Sequence, residues 1–166
     1  HYPLRRQRQM CIRDRAKYVA RFATEFQALD SLKIAHELDK RLQKEGRQLR
    51  VLVQMNSSAE PQKSGIAPEE AVDFARELAA FDSLDVRGLM TVALNSSDQR
   101  AVADCFDLVV ATQEKLRQEA GDTSDWSELS MGMSGDLEIA IAHGSTQVRI
   151  GTDIFGTRDP VRTWRP

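Results

Sequence analysis

From Ala16 onward, short apolar runs rich in β-forming residues alternate with stretches whose apolar positions recur every three to four residues. A period near two marks a strand and one near 3.6 a helix, so their alternation predicts βαβ units and a parallel sheet. Residues 16–23 read as the end of a helix. Phe26–Leu29 is a short strand, after which Ser31 starts a helix with Leu32, Ala35, Leu38 and Leu42 on one face and Gly46 at its stop. Leu49–Met55 (LRVLVQM) is the clearest strand. The polar loop Asn56–Ile66 leads to Pro68, suited to a first helical turn, with Glu69 and Glu70 favourable against the helix dipole. That helix buries Ala71, Phe74, Ala75 and Leu78. Val86–Val92 is the next strand, and Asp98 opens a long helix with Val102, Phe106, Val109 and Leu116 inward, closed near Gly121. Leu129–Met133 is a strand running into a short helix, Gly135–His143. Gln147–Ile150 is the last strand, and the tail beyond Phe155 is polar.

The chain thus presents five strands, each followed by a helix or turn, with no visible sequence repeat. Two α/β architectures accept this series: an open doubly wound sheet or part of a (β/α) barrel. Composition does not choose between them. Hydrophobic residues make up 41% and charged residues 29% of the 166-residue chain, ordinary values for a globular protein. A net charge of −2 and no recurrent basic stripe argue against nucleic acid as a partner. The apolar runs are too short to span a bilayer, which argues against a membrane. Cys11 and Cys105 supply neither a disulfide framework nor a zinc site, and a cytoplasmic setting is expected. Residues 1–15 are arginine-rich, lack lysine and show neither period. They resemble translated non-coding or adapter sequence more than a nucleic-acid arm or targeting peptide, so they are set apart from the fold.

In parallel α/β folds, ligands sit at the C-terminal ends of the strands, and the chemistry is sought there. Ser134, where strand gives way to helix in Ser130-Met131-Gly132-Met133-Ser134-Gly135, offers a hydroxyl beside helix-opening N–H groups that suit a phosphate. The same serine could merely cap the helix. At the last strand end, Gly151 permits close approach of an anion and Thr152 adds a hydroxyl. Arg149, a cation between Val148 and Ile150, needs either a structural carboxylate or a ligand. Lys63 in the Asn56–Ile66 loop could serve as an amine or phosphate contact, or simply be solvated. His36 and His143 belong to no triad-like pattern. Metal-ligand spacing is absent. Met90, Met131 and Met133 suit core packing or the wall of a ligand site.

The segments LRVLVQMNSSAEPQKSGI, VRGLMTV and LSMGMSGDLEIAIAHGSTQVRIGTDIFGTR closely resemble the pyridoxal phosphate homeostasis proteins. These are single-domain relatives of the barrel domain of bacterial alanine racemase and eukaryotic ornithine decarboxylase. The likeness runs from Ala16 to about Arg158. The resemblance implies a partial (β/α)8 barrel of about five parallel strands, equivalent to family strands four to eight. It implies that Ser134, Gly151 and Thr152 grip the phosphate of pyridoxal 5′-phosphate (PLP), and that Arg149 lies under the pyridine nitrogen. It also implies that Ser130 and Met133 line the cofactor, while Lys63 falls in the family's KSG loop.

The family carries its aldimine lysine on a first strand upstream of the segment equivalent to Ala16, and no lysine here matches that motif. Lys17 belongs to a later helix and is no substitute. The expectation is therefore an N-terminally truncated chain: residues 1–15 non-native or disordered, 16–158 a partial PLP-binding barrel, 159–166 a tail. The resemblance implies a monomeric PLP carrier or homeostatic buffer, not an enzyme, with PLP-dependent apoenzymes as recipients. The alternative is a fragment of a PLP-dependent amino-acid racemase or decarboxylase.

Overall fold

In the computed structural model, which describes residues 16–156 apart from 61, 122 and 123, the alternating pattern becomes a five-stranded parallel sheet. Helix α1 (residues 16–22) precedes β1 (Glu25–Leu29), α2 (Leu32–Glu45) and β2 (Leu49–Met55). A single 3₁₀ turn, Pro68–Glu70, runs into α3 (Ala71–Leu78), followed by β3 (Leu84–Thr91) and α4 (Gln99–Glu119). The chain continues through β4 (Glu128–Met133), α5 (Leu137–Ala142), β5 (Gln147–Arg149) and the short α6 (Thr152–Phe155). Residues 1–15 and 159–166, set apart in the sequence, lie outside the described residues.

The strand order β1-β2-β3-β4-β5 follows the chain without reversal. A doubly wound sheet would reverse direction at a switch point, so that architecture is excluded. Curvature shows directly in one contact. If the sheet were flat, four steps of about 4.8 Å would hold β1 and β5 roughly 19 Å apart. Instead Gln27 Nε2 of β1 donates to Gln147 Oε1 of β5 at 2.7 Å. The sheet is curled into a half-barrel, and side chains of its two outermost strands meet across the concave face.

The hydrophobic core lies on the convex side, between sheet and helices. Val51, Val53 and Met55 of β2 and Leu129 and Met131 of β4 pack there with Leu38, Leu42, Phe74, Phe106, Val109 and Leu116. Alternation along β2 puts Arg50 and Gln54 on the opposite face. The base of the half-barrel is charged: Glu128 pairs with Arg50 and with Arg87, and Arg50 also approaches Glu25 at 3.9 Å. Asp125 and Asp85 beside Arg87 raise its already high pKa further.

Local signals behave as their chemistry requires. Gly46 closes α2 at φ 61°, the left-handed conformation that glycine adopts without penalty. Ser31 starts α2 without a side-chain capping bond, whereas Asp98 Oδ1 accepts from the N–H groups of Arg100 and Ala101 at 3.0 and 3.3 Å. Replacing Asp98 by alanine orphans both donors and is expected to cost about 1 kcal/mol, read as a lower urea midpoint with unchanged slope. Buried Asp39 ties α2 to the start of β3, accepting from the Ser83 N–H at 3.0 Å. Among the described residues, no helix is long and apolar enough to cross a membrane.

Candidate functional site

The last two strand ends converge. After β4, residues 134–136 form a turn, and α5 begins at Leu137 with Asp136 at its N-terminal boundary. The helix therefore starts two residues later than the sequence pattern indicates. Asp136 Oδ1 accepts from the Met133 N–H at 2.5 Å and shapes the turn, so Ser134 is not the helix cap. Its hydroxyl is aimed elsewhere: Ser134 Oγ accepts from the Asp153 N–H, at 3.4 Å, in the first turn of α6. Ser134 and the Gly151–Thr152 turn thus stand side by side. Gly151 and Thr152 are exposed, and a Cβ added at Gly151 would meet no atom within 4 Å. The backbone at Gly151 has φ −119°, which any residue adopts, so the fold does not demand glycine there.

Arg149 is the polar centre of the site. Its Nη1 donates to the Ser130 carbonyl at 2.8 Å and to Ser130 Oγ at 2.6 Å, and Nη2 donates to the Thr91 carbonyl at 2.6 Å. Among the described residues no carboxylate lies within ion-pairing distance of it. The open choice between structural pairing and a ligand is thereby narrowed: neutral acceptors hold this cation in place. Partial burial depresses its pKa, the nearby charge of Asp136 opposing the shift, yet a guanidinium remains charged at any ordinary pH. A guanidinium has five N–H donors, and three bonds leave at least two for another partner.

Ser130 is fully buried beside Arg149. Met133 closes β4 opposite Arg149 in the parallel register but is 37% exposed. The preceding Gly132, at φ 97°, breaks the strand alternation there, and a Cβ on it would strike Ala140 Cβ at 2.6 Å. Met131 packs in the convex core, whereas Met90 is buried outside that cluster.

Lys63 is not at these strand ends. Its Nζ donates to the Ala93 carbonyl at 3.1 Å and pairs with Glu60, and this neighbour holds the Glu60 carboxyl below the usual carboxylate range. Lys17 is exposed on α1. His36 packs edge-on against Phe81, and His143 Nδ1 contacts Asp107 Oδ1 at 2.5 Å on the outer surface. Among the described residues, no group of His, Cys, Asp and Glu could hold a metal ion.

Several site residues escape the sequence reading. Thr91, fully buried, donates through Oγ1 to the Met55 carbonyl at 2.9 Å and meets Ser57 Oγ at 2.8 Å, so the ends of β2, β3 and β5 are tied together through it. Gln27 accepts from Ser130 Oγ at 2.6 Å. The one available signal was a glutamine on a strand among apolar neighbours, which alternation alone also explains.

The sequence profile of the alanine racemase N-terminal domain family matches residues 11–159. A pyridoxal phosphate homeostasis protein of Pasteurella multocida is 39% identical over 146 residues, covering 88% of this chain and 62% of the relative. The human pyridoxal phosphate homeostasis protein is 36% identical over 137 residues, covering 80% of this chain and 50% of the relative. The chain therefore spans about half to three-fifths of the length of these relatives. Among solved structures, PipY of Synechococcus elongatus with PLP bound superposes with TM-score 0.79 at 27% identity, over 87% of this chain and 66% of PipY. Alanine racemase of Clostridium difficile, at 19% identity and TM-score 0.69, shares the fold over 88% of this chain and 37% of its own. The chain belongs to the alanine racemase N-terminal domain family, in company with the pyridoxal phosphate homeostasis proteins.

Proposed function

We propose that the chain binds PLP noncovalently at the C-terminal ends of its strands, as the phosphate- and ring-binding part of a cytoplasmic cofactor carrier. The observation that carries this reading is the approach of Ser134 Oγ to the Asp153 N–H at 3.4 Å, which brings two strand ends into one donor cluster. The donor set fits the cofactor. Ser134 and Thr152 offer hydroxyls, and beside them the Thr152 N–H opens α6, whose next three N–H groups are taken by Ser134 Oγ and the Gly151 carbonyl. The phosphate end would lie between them, over the open Cα of Gly151. Arg149, two residues earlier at the end of β5, would present its remaining donors to the pyridine nitrogen. A donor that never releases its proton leaves that nitrogen unprotonated.

When bound, PLP supplies a reactive aldehyde and an electron-withdrawing ring. The chain's own groups hold the phosphate, orient the ring and limit its withdrawal of electrons through Arg149, which suits storage better than rapid amino-acid turnover. No lysine occurs in any of the five described strands, and the proposed grip uses only noncovalent donors. The names of the sequence relatives support a homeostatic role; PLP-dependent apoenzymes as recipients and a monomeric working unit complete the proposal.

Gly151→Ala separates this site from the fold. The added methyl meets no protein atom and the backbone conformation suits alanine, so the melting temperature is expected to hold within a degree or two. PLP affinity, followed by absorbance titration, is expected to fall severalfold because the methyl occupies the phosphate's place. Unchanged affinity contradicts the proposed seat of the phosphate.

A further inference from the structure

We infer that Gln27 is a positioning residue for Arg149, and through it a determinant of selectivity for a ligand ring bearing an acceptor nitrogen. The inference rests on the PLP reading above and deepens it. Its basis is a directed chain of hydrogen bonds across the concave face. Glu25 and Glu128 lie at the base of the half-barrel, and ionised carboxylates only accept. Gln147 Nε2 donates to Glu128 Oε2 at 2.9 Å, which turns Gln147 Oε1 toward Gln27. Gln27 Nε2 gives one hydrogen to Glu25 Oε1 at 2.5 Å and the other to Gln147 Oε1 at 2.7 Å. The amide of Gln27 is then fully oriented, with Oε1 facing β4. A flipped amide would set its oxygen against the Glu25 carboxylate.

Ser130 reads that orientation. Its hydroxyl carries a single hydrogen and lies between Gln27 Oε1 at 2.6 Å and Arg149 Nη1 at 2.6 Å. Arginine has no acceptor, so the hydroxyl must donate to Gln27 and offer its lone pair to Arg149. Gln27 thus fixes a buried rotor that fixes the guanidinium. Ser130 is wholly buried, so no water replaces Gln27 as the acceptor without rearrangement. Remove that acceptor and the hydroxyl is free to rotate, so Arg149 keeps its two backbone carbonyls but loses the fixed direction of the Ser130 lone pair.

The test compares PLP with 1-deazapyridoxal 5′-phosphate, in which the ring nitrogen is replaced by CH, using the chain as it stands. The parent is expected to prefer PLP by about tenfold, the effect of one hydrogen bond to a charged donor. Gln27→Met removes the acceptor at similar length and is expected to reduce that preference to near unity. Taking the ratio of two ligands with the same phosphate cancels any general weakening, and Gln27→Ala stands in should the methionine variant fail to melt cooperatively. A preference that persists in the acceptor-free variants overturns the role of Gln27. A parent that binds both ligands equally overturns Arg149 as the ring-nitrogen contact, and a parent that binds neither overturns the PLP reading itself.

Discussion

Ser134→Ala is expected to weaken PLP binding about ten- to a hundredfold, the effect of losing a hydrogen bond to a charged group worth about 1.5–3 kcal/mol. The hydroxyl stands at the seam between the β4 and β5 loops, where it already accepts from the Asp153 N–H. As an acceptor of one bond it has its own hydrogen free to donate to a phosphate oxygen. Thr152→Val removes the second hydroxyl at constant volume and is expected to act in the same direction. Because both groups would touch one phosphate, the double variant should lose less than the product of the single effects, and a double-mutant cycle measures the difference. Neither residue is buried, so both variants should keep the parent's melting temperature. Normal affinity in both single variants would mean that the phosphate is held elsewhere.

The largest stability effect is expected from Gly88→Ala. Gly88 pairs with Glu128 in the parallel register of β3 and β4, and a Cβ there would stand 1.8 Å from the Glu128 carbonyl oxygen. The obstacle is backbone on both sides, so no side-chain rotation relieves it. The strands must separate at the residue whose carboxylate also anchors Arg50, Arg87 and Gln147. A loss above about 4 kcal/mol is expected, against a total stability of about 5–15 kcal/mol for an ordinary domain. Gly135→Ala, with no atom within 4 Å of the added methyl, is the matched control and should be silent. A cooperative urea transition for Gly88→Ala near the parent midpoint would contradict the close strand approach.

The convex half of the molecule was legible in the sequence because its signals are local. Leu49–Met55 is a strand over those same residues, Asp98 caps its helix and Gly46 turns left-handed where the apolar period stops. The concave half was not legible, because its partners are distant in sequence. Gln27 finds Ser130 and Gln147 across 103 and 120 positions, and no spacing rule reaches that far. The fate of Arg149 stayed open for a related reason: two of its acceptors are backbone carbonyls, which every residue carries. Open sheet and barrel were indistinguishable by pattern, since both need parallel strands with convex apolar cores. Strand order and curvature separate them: the order runs from β1 to β5 without reversal, and the curvature shows in the contact between β1 and β5. Helix α5 starts two residues later than its pattern indicates because Ser134 and Asp136 are both good capping types, and the aspartate takes the turn.

The phosphorus NMR signal of PLP, followed from pH 5 to 8 with the chain in excess, addresses the phosphate site most directly. Hydroxyl and backbone donors around Ser134, Gly151 and Thr152 favour the dianion, so the bound signal should shift from that of free PLP and stay nearly constant as the free phosphate titrates. A signal that keeps the free cofactor's position and titration curve would show that these two strand ends do not hold the phosphate.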